Sequence, residues 1–500
     1  MREERTNSSL ELLVPLDRSS SVPLHRQLET ALRDGIVSGR LRPGTALPPS
    51  RRLAADLGVS RGVVVDAYEE LVAEAWLDSR PGSGTRVADA ARGVPEPPAA
   101  SLARTPGPRW DLRPGQPDLS RYPQQEWLAS ARRGLRGLPW TDLGYGDPRG
   151  LASTRDAVLA YLGRVRRVTA TPDGVLICSG LAHGLALIAR WLVRRGTDTI
   201  AVEDPGSYNQ RTLLEANGLR VKGVAVDDGG IDTAALRAAK CRAVLVTPAH
   251  QFPTGVVLAP ERRQQLVAWA REVDGVVIED DYDAEYRYDR APVGSLQPLA
   301  PERVMHGGSL SKSLAPGLRL GWLVGPDQWI AELADLRWVD DLSPAVPAQV
   351  ALGEFLRDGG LDRHLRRTRS EYRRRRDALV AAIRRRLPDS EVLGASAGLH
   401  VVVTLPDDVE EAAVVAAARA AGVEVRSLAR YRMKPGPPAL VLGYAALTPG
   451  SLRRAAAALA EAVEVSRGRS GRPAGSPRTS SAPLPSTPDG TRRTRSGPAG

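Results

Sequence analysis

Between residues 174 and 324 seven short apolar runs recur with helical stretches between them: GVLICS, TIAVED, VKGVAV, AVLVTP, GVVIED, RVMHGG and RLGWLV. This recurrence constrains the fold more than any other feature. A strand with one wet face alternates apolar and polar residues, whereas a run that is apolar at nearly every position must be covered on both sides. Runs of this kind alternating with helices predict an α/β domain built on a mostly parallel sheet. In such sheets ligands bind outside the carboxyl ends of the strands, so those ends are where chemistry is sought.

Three of them carry unusual residues. GVLICSGLAHGLALIARWL reads as a strand, a tight turn at Ser179-Gly180 and a helix from about Leu181, and a helix N-terminus directly after a strand is a ready anion site. GVVIEDDYDAEY sets Asp280, Asp281 and Tyr282 at a strand end, where clustered acids need a metal, a cation or solvent. No histidine cluster supports a metal. Lys312 follows the next run, with Ser309 and Ser311 before it and Arg319 seven residues after it. A lone lysine is usually a surface residue and an acidic pair usually a solvated loop. Together at successive strand ends they match the needs of pyridoxal 5'-phosphate: an amine for its aldehyde, a carboxylate for its pyridinium nitrogen and an anion cradle for its phosphate. Lys312 then forms the Schiff base, Asp280 partners the ring nitrogen and Tyr282 lies near the phenolic oxygen. Ser309, Ser311, Arg319, Gly180 and the backbone amides of Leu181 and Ala182 form the cradle.

The first 88 residues read differently. Leu24, Leu28, Ala31 and Leu32 share one helical face, and a second short helix fits SRRLAADL from Ser50. After the turn Gly58-Val59, Ser60 is placed to cap a third helix whose buried face is Val64, Tyr68, Leu71 and Ala75. Two helices joined by a short glycine-containing turn form a helix-turn-helix. WLDSRPGSGTRVA follows as a hairpin with its tip at 81–84, which is a wing. Residues 21–88 hold nine basic and eight acidic side chains, so total charge says little. Placement says more. Arg40, Arg42, Arg51, Arg52 and Arg61 precede the body of the third helix, and Asp66, Glu69, Glu70, Glu74 and Asp78 follow its start. Basic residues thus gather at the helix N-terminus, where phosphates and base edges are met. A small packing domain with surface arginines is the plainer alternative.

The stretch from His25 to Val87 resembles the winged helix-turn-helix of GntR-family regulators, through GRLRPG, LP-x-SR, GVSR and the GSGT wing. The resemblance implies that Arg51 and Arg61 reach double-stranded DNA and that Gly82, with Gly84, lets the wing approach a groove. It also shows a departure: Val65 stands where the family often has a further arginine. The larger region is similar to fold-type-I aminotransferases, above all the effector domain of the MocR/PdxR-type subfamily, in LGYGDPRGLASTRDAVLAYL, TPAHQFPTG, VIEDDYDAEYRYD and SLSKSLAPGLRLGWLVGP. That resemblance implies a head-to-tail homodimer in which Tyr145 reaches the phosphate of the neighbouring subunit. Three departures accompany it. Ser207 replaces an aromatic that stacks on the cofactor ring, and Phe252 replaces an asparagine. Val441 replaces the arginine that clamps a substrate carboxylate.

The expected order is therefore a winged helix-turn-helix (21–88), a Pro/Ala-rich linker (89–109), an aminotransferase-like domain (110–465) and a disordered tail (466–500). The linker's 21 residues reach at most about 70 Å and average about 25 Å as a coil. The tail explains much of the formal charge of +11, since it holds seven arginines against one acid. Two cysteines, Cys178 and Cys241, suit core thiols of a reducing compartment. With no apolar leader and no run of membrane length, the expectation is a soluble cytoplasmic protein. Three functions fit: a transcription regulator sensing pyridoxal phosphate or an amino compound that reacts with it; an active aminotransferase with an accessory DNA-binding domain; and a regulator whose cofactor is only structural.

Overall fold

The computed structural model describes residues 16–80, 84–89, 107–283, 285–288 and 293–470, and the chain divides into two compact units between Pro106 and Gly107. The wing tip with Gly82, most of the linker and residues 471–500 of the expected tail lie outside the described residues.

The first unit contains α1 (Leu24–Val37), α2 (Ser50–Leu57), α3 (Arg61–Ala73), β1 (Leu77–Arg80) and β2 (Gly84–Val87). Leu28, Leu32, Leu53, Val64, Ala67 and Leu71 form its core at 0–2 % exposure. α2 stops at Gly58, which sits in the left-handed region at φ 62°. Ser60 then caps α3, its hydroxyl accepting from the Val63 amide. The strands pair antiparallel from Leu77–Val87 to Arg80–Gly84. One expectation fails: Ala75 is exposed, because α3 ends at Ala73 and Ala75 itself turns left-handed at φ 60°. The Trp76 amide closes that turn on the Leu71 carbonyl (2.8 Å), and Trp76 packs against the core instead.

The second unit opens with β3 (Trp110–Asp111), α4 (Gln124–Gly137) and α5 (Ala152–Arg166). Then come β4 (Val175–Cys178), α6 (Leu181–Arg194), β5 (Thr199–Asp204), α7 (Tyr208–Ala216), β6 (Arg220–Asp227), β7 (Gly230–Ile231), α8 (Thr233–Ala238), β8 (Ala243–Val246) and α9 (Pro260–Glu272). β9 (Val276–Asp281), β10 (Val304–Ser309), β11 (Gly321–Val324) and α10 (Asp327–Asp340) complete the large layer. All seven apolar runs are strands of one eight-stranded sheet, ordered β4-β11-β10-β9-β8-β5-β6-β7. Neighbours from β10 to β6 run parallel, while β11 opposes both its neighbours. No crossover helix joins β10 to β11, so the chain returns in the opposite sense.

Burial on both faces explains the continuous apolar runs. Leu245 and Ile278 pack with Leu185, Ile188 and Leu333 of α6 and α10, while their neighbours Val244 and Val277 pack with Leu266 and Trp269 of α9. α11 (Val346–Arg357) and α12 (Gly360–Arg386) lead to a smaller layer of β12 (Val392–Leu393), β13 (His400–Thr404), α13 (Glu411–Ala420), β14 (Val423–Glu424), β15 (Arg426–Ser427), β16 (Ala439–Gly443) and α14 (Pro449–Ser470). Its sheet is ordered β12-β13-β16-β15, and β14 pairs with β3. α14 runs through Ser470, past the expected tail boundary, and Ser466 is buried with its hydroxyl on the Ala462 carbonyl. No helix among the described residues is long and apolar enough to cross a membrane.

Candidate functional site

Strand ends meet at one level. Cys178, Gly321 and Ser309 are register partners across β4, β11 and β10, and Gly307 of β10 pairs with Asp280 of β9. A cavity of about 460 Å³ opens there, lined by Leu181, Ala182, Asp280, Tyr282, Ser309, Ser311, Lys312 and Arg319 among others. The sheet thus brings eight of the residues read from the sequence to one place.

Each is held for a local reason. Gly180 caps α6 at φ 76°, and a Cβ there would stand 2.9 Å from an Arg319 guanidinium nitrogen. A side chain at 180 would displace the arginine from the helix N-terminus. The first amides of a helix have no intrahelical acceptor, so Leu181, Ala182 and Arg319 converge on one anion-binding corner. Arg319 also donates to the Ser179 carbonyl. Ser309 accepts from the Ser311 amide (3.0 Å), and its hydroxyl donates to the Ser311 hydroxyl (2.8 Å). Lys312 donates to the Gly115 carbonyl at 2.8 Å. Gly115 is left-handed at φ 80°, and a Cβ there would crowd the amine at 2.9 Å. Burial pushes the Lys312 amine below its ordinary range, with Asp280 and Asp283 opposing.

The acids at the end of β9 separate by face. Asp281 forms a buried two-pronged pair with Arg166, at 2.7 Å for each bond. A cation is one of the three partners, with a metal and solvent, that clustered acids call for. Asp280 faces the cavity and is 5 % exposed. Its Oδ2 accepts from Gln210 Nε2 at 2.5 Å, while Oδ1 is buried without a partner among the described residues. Burial, with Asp281 and Asp283 nearby, pushes its carboxyl up to about 7 against the Gln210 hydrogen bond. A buried carboxylate oxygen lacking a donor is what a pyridinium N–H would satisfy, so the residues present fit the cofactor. The Tyr282 hydroxyl meets His250 Nδ1 at 2.9 Å, and Asp283 holds the same nitrogen at 3.0 Å.

Other residues stand as follows. Tyr145 is 82 % exposed and lies outside this cavity's lining. Ser207 lines the cavity and caps α7; Tyr208 lies under the Arg430 guanidinium at 4.4 Å. Val441 is fully buried among Val402, Leu428 and Tyr431, with Phe252 packed on them. Sequence reasoning missed Gln210, Gly115, Arg113 and Arg426. The DDYD run hinted at Asp283, but Gln210 and Gly115 arrive from 70 and 197 residues away, and no local pattern marks such contacts.

In the first unit Arg51, Arg52 and Arg61 are all exposed. Arg61 Nε donates to Ser50 Oγ at 3.4 Å, so the N-termini of α2 and α3 adjoin. The acids of α3 lie beyond this corner. Gly84 opens β2 at the wing.

Residues 24–87 match the gntR family of bacterial regulatory proteins, and residues 111–459 match aminotransferase class I and II. The chain is 33 % identical to a probable rhizopine catabolism regulatory protein, MocR, of Rhizobium meliloti, covering 88 % of this chain and 94 % of that one. It is 31 % identical to the pyridoxine biosynthesis transcriptional regulator PdxR of Corynebacterium glutamicum, covering 91 % and 99 %. An archaeal alanine:glyoxylate aminotransferase structure superposes with a TM-score of 0.67 at 23 % identity over 73 % of this chain and 93 % of that one.

Proposed function

Since the chain belongs to the GntR family of bacterial regulators, in the branch fused to an aminotransferase class I and II domain, we propose that it is a transcription regulator whose large unit holds pyridoxal 5'-phosphate and reads out an amino compound or the cofactor itself. The observation that carries this reading is one cavity containing Lys312, the half-satisfied Asp280 and the Gly180–Arg319 corner, in a chain that begins with a helix-turn-helix.

Lys312 would bind the cofactor's aldehyde and Asp280 its ring nitrogen. Arg319, Ser309, Ser311 and the amides of Leu181 and Ala182 would take its phosphate, with Tyr282 beside its phenolic oxygen. When bound, the cofactor supplies an aldehyde that condenses reversibly with amines. The chain's own contribution is placement. Asp280 would pair with the ring nitrogen, and the burial that lowers the Lys312 amine would favour its neutral form. By its likeness to the family, Tyr145 would complete the site of a partner subunit in a head-to-tail homodimer. Arg51, Arg52, Ser60, Arg61, Gly82 and Gly84 would engage a double-stranded operator, and binding at the large unit would bias a two-state arrangement of the DNA-binding units. Such a protein works in the cytoplasm, where buried free Cys178 and Cys241 stay reduced. The names of the relatives point to target genes in vitamin B6 or amino-compound metabolism.

The test is to load the purified protein with the cofactor, record its visible absorption and reduce with borohydride. A band in wild type, mass fixed on the Lys312 peptide and loss of both in Lys312→Ala support the reading. A band that survives in Lys312→Ala overturns it.

A further inference from the structure

The cavity has two ends of different chemistry. One is the Lys312 end described above. At the other stand Arg113, Arg426 and Arg430. Their engagements differ. Arg113 is occupied by Asp111, with Nε at 2.9 and 3.0 Å and Nη2 at 2.5 Å from the carboxylate. Arg430 is exposed and stacked over Tyr208. Arg426 is half-buried, its side chain 28 % exposed, and its hydrogen bonds use Nη1 alone: to Glu424 Oε1 at 2.6 Å and, longer, to the Val425 carbonyl. Glu424 does not depend on it, because Arg419 grips the same carboxylate through Nε and Nη2 at 3.1 and 3.0 Å. Among the described residues, Nε and Nη2 of Arg426 have no partner.

Register fixes where that fork points. Arg426 pairs with Val441 across β15 and β16, so the two side chains leave the sheet on the same face. Val441 is sealed beneath Tyr431 and Phe252, and both of those line the cavity. The guanidinium is therefore delivered from the neighbouring strand, above an apolar floor, into the same space that Lys312 faces.

We propose that Arg426 is the specificity-determining anchor of the effector. The effector is then a compound with an amine at the Lys312 end, an apolar spacer over Phe252 and Tyr431, and an oxyanion, carboxylate or sulfonate, on the Arg426 fork. A planar guanidinium with two adjacent free N–H groups matches an oxyanion bidentately, which a lysine cannot do. This deepens the function proposed above and rests on it.

The experiment uses the full-length protein loaded with pyridoxal phosphate. The absorption band is checked first, and its absence would indict the underlying reading rather than this one. Glycine, 3-aminopropanoate, 4-aminobutanoate, 2-aminoethanesulfonate and, as an amine without an oxyanion, propylamine are then titrated by calorimetry and by absorption. At least one amino-oxyanion is expected to bind more tightly than propylamine, with the length series giving the spacing and the sulfonate arm separating the two oxyanions. R426Q should weaken that compound by about tenfold to a hundredfold, the range for losing a charge-assisted hydrogen bond, and leave propylamine and cofactor binding unchanged. R426K, which keeps the charge and the Glu424 contact, should fall between and guards against a folding defect in R426Q. The proposal is overturned if no amino-oxyanion outbinds propylamine in wild type, or if R426Q and R426K leave the preference intact.

Discussion

Replacing Asp280 by Asn should stabilise the cofactor-free protein while removing what the cofactor needs. The carboxyl is pushed from 3.8 up to about 7, chiefly by burial, with Asp281 and Asp283 adding repulsion and the Gln210 hydrogen bond opposing. An acid whose native pKa is raised binds its proton more tightly when folded. The penalty is absent below about pH 3.8, accumulates as pH rises towards 7 and is constant above. At 1.36 kcal/mol per tenfold change in proton affinity the displacement is worth about 4 kcal/mol, and relaxation around a buried charge reduces this to about 2–4 kcal/mol. Asn keeps the acceptor that Gln210 needs and carries no charge. Urea unfolding of cofactor-free wild type and D280N is therefore expected to show D280N ahead by that amount at pH 8, with a smaller lead at pH 5. Adding pyridoxal phosphate should reverse the order, because only the carboxylate can pair with a protonated ring nitrogen. Equal stabilities at pH 8, or a lead that does not grow between pH 5 and 8, would refute the reasoning.

Three further outcomes are expected. Arg61→Ala should cost operator DNA about 1–3 kcal/mol and non-specific DNA far less in mobility shifts; equal losses would reduce Arg61 to a phosphate contact. Arg166→Met strands the buried Asp281 and should lower unfolding free energy by about 3–5 kcal/mol, most of it regained in Arg166→Met/Asp281→Leu, because a matched apolar pair carries no unpaired charge; a double variant no more stable than the single one would contradict this. Cofactor-loaded protein mixed with amino and keto acids should change its spectrum yet form little product, since Ser207 offers no ring stacking and Val441 leaves the family's clamp position apolar; many turnovers at about 1 per second or faster would refute that expectation.

Much of the fold was legible because burial on both faces leaves a simple mark. Each of the seven apolar runs became a strand of the main sheet, and the serine that begins GVSR's helix became its cap. What escaped was conditional on distant chain. Ala75 had the right spacing for the core, but the backbone turned left-handed two residues after α3 ended, and Trp76 took the place. The tail's composition changes near Ser466, whereas the helix before it continues on its own hydrogen bonds to Ser470. At the site, the residue types that chemistry demands were visible from local sequence: Lys312, Asp280, Arg319 and the helix start at Leu181. The residues that tune them were not. Gln210, Gly115 and Arg426 are ordinary in their own neighbourhoods, and only the register of β15 on β16 reveals that an arginine stands directly across from the valine.

The stretch that follows the linker is also a wall of the cavity. The residue after β3 stitches it to the smaller layer, with the Leu112 amide on the Glu424 carbonyl (2.9 Å) and the Gly443 amide on the Leu112 carbonyl (2.7 Å). Arg113 and Gly115 then line the space, and Gly115 holds the Lys312 amine. Glu424 thus serves as a common post, its backbone tying down the incoming chain and its carboxylate bracing Arg426. The first described residues of the second unit thus run directly into the wall of the cavity. Arg113 of that wall lies only four residues along the chain from the expected end of the linker at 109, so a message from the cavity to the linker does not require a long chain of packed side chains.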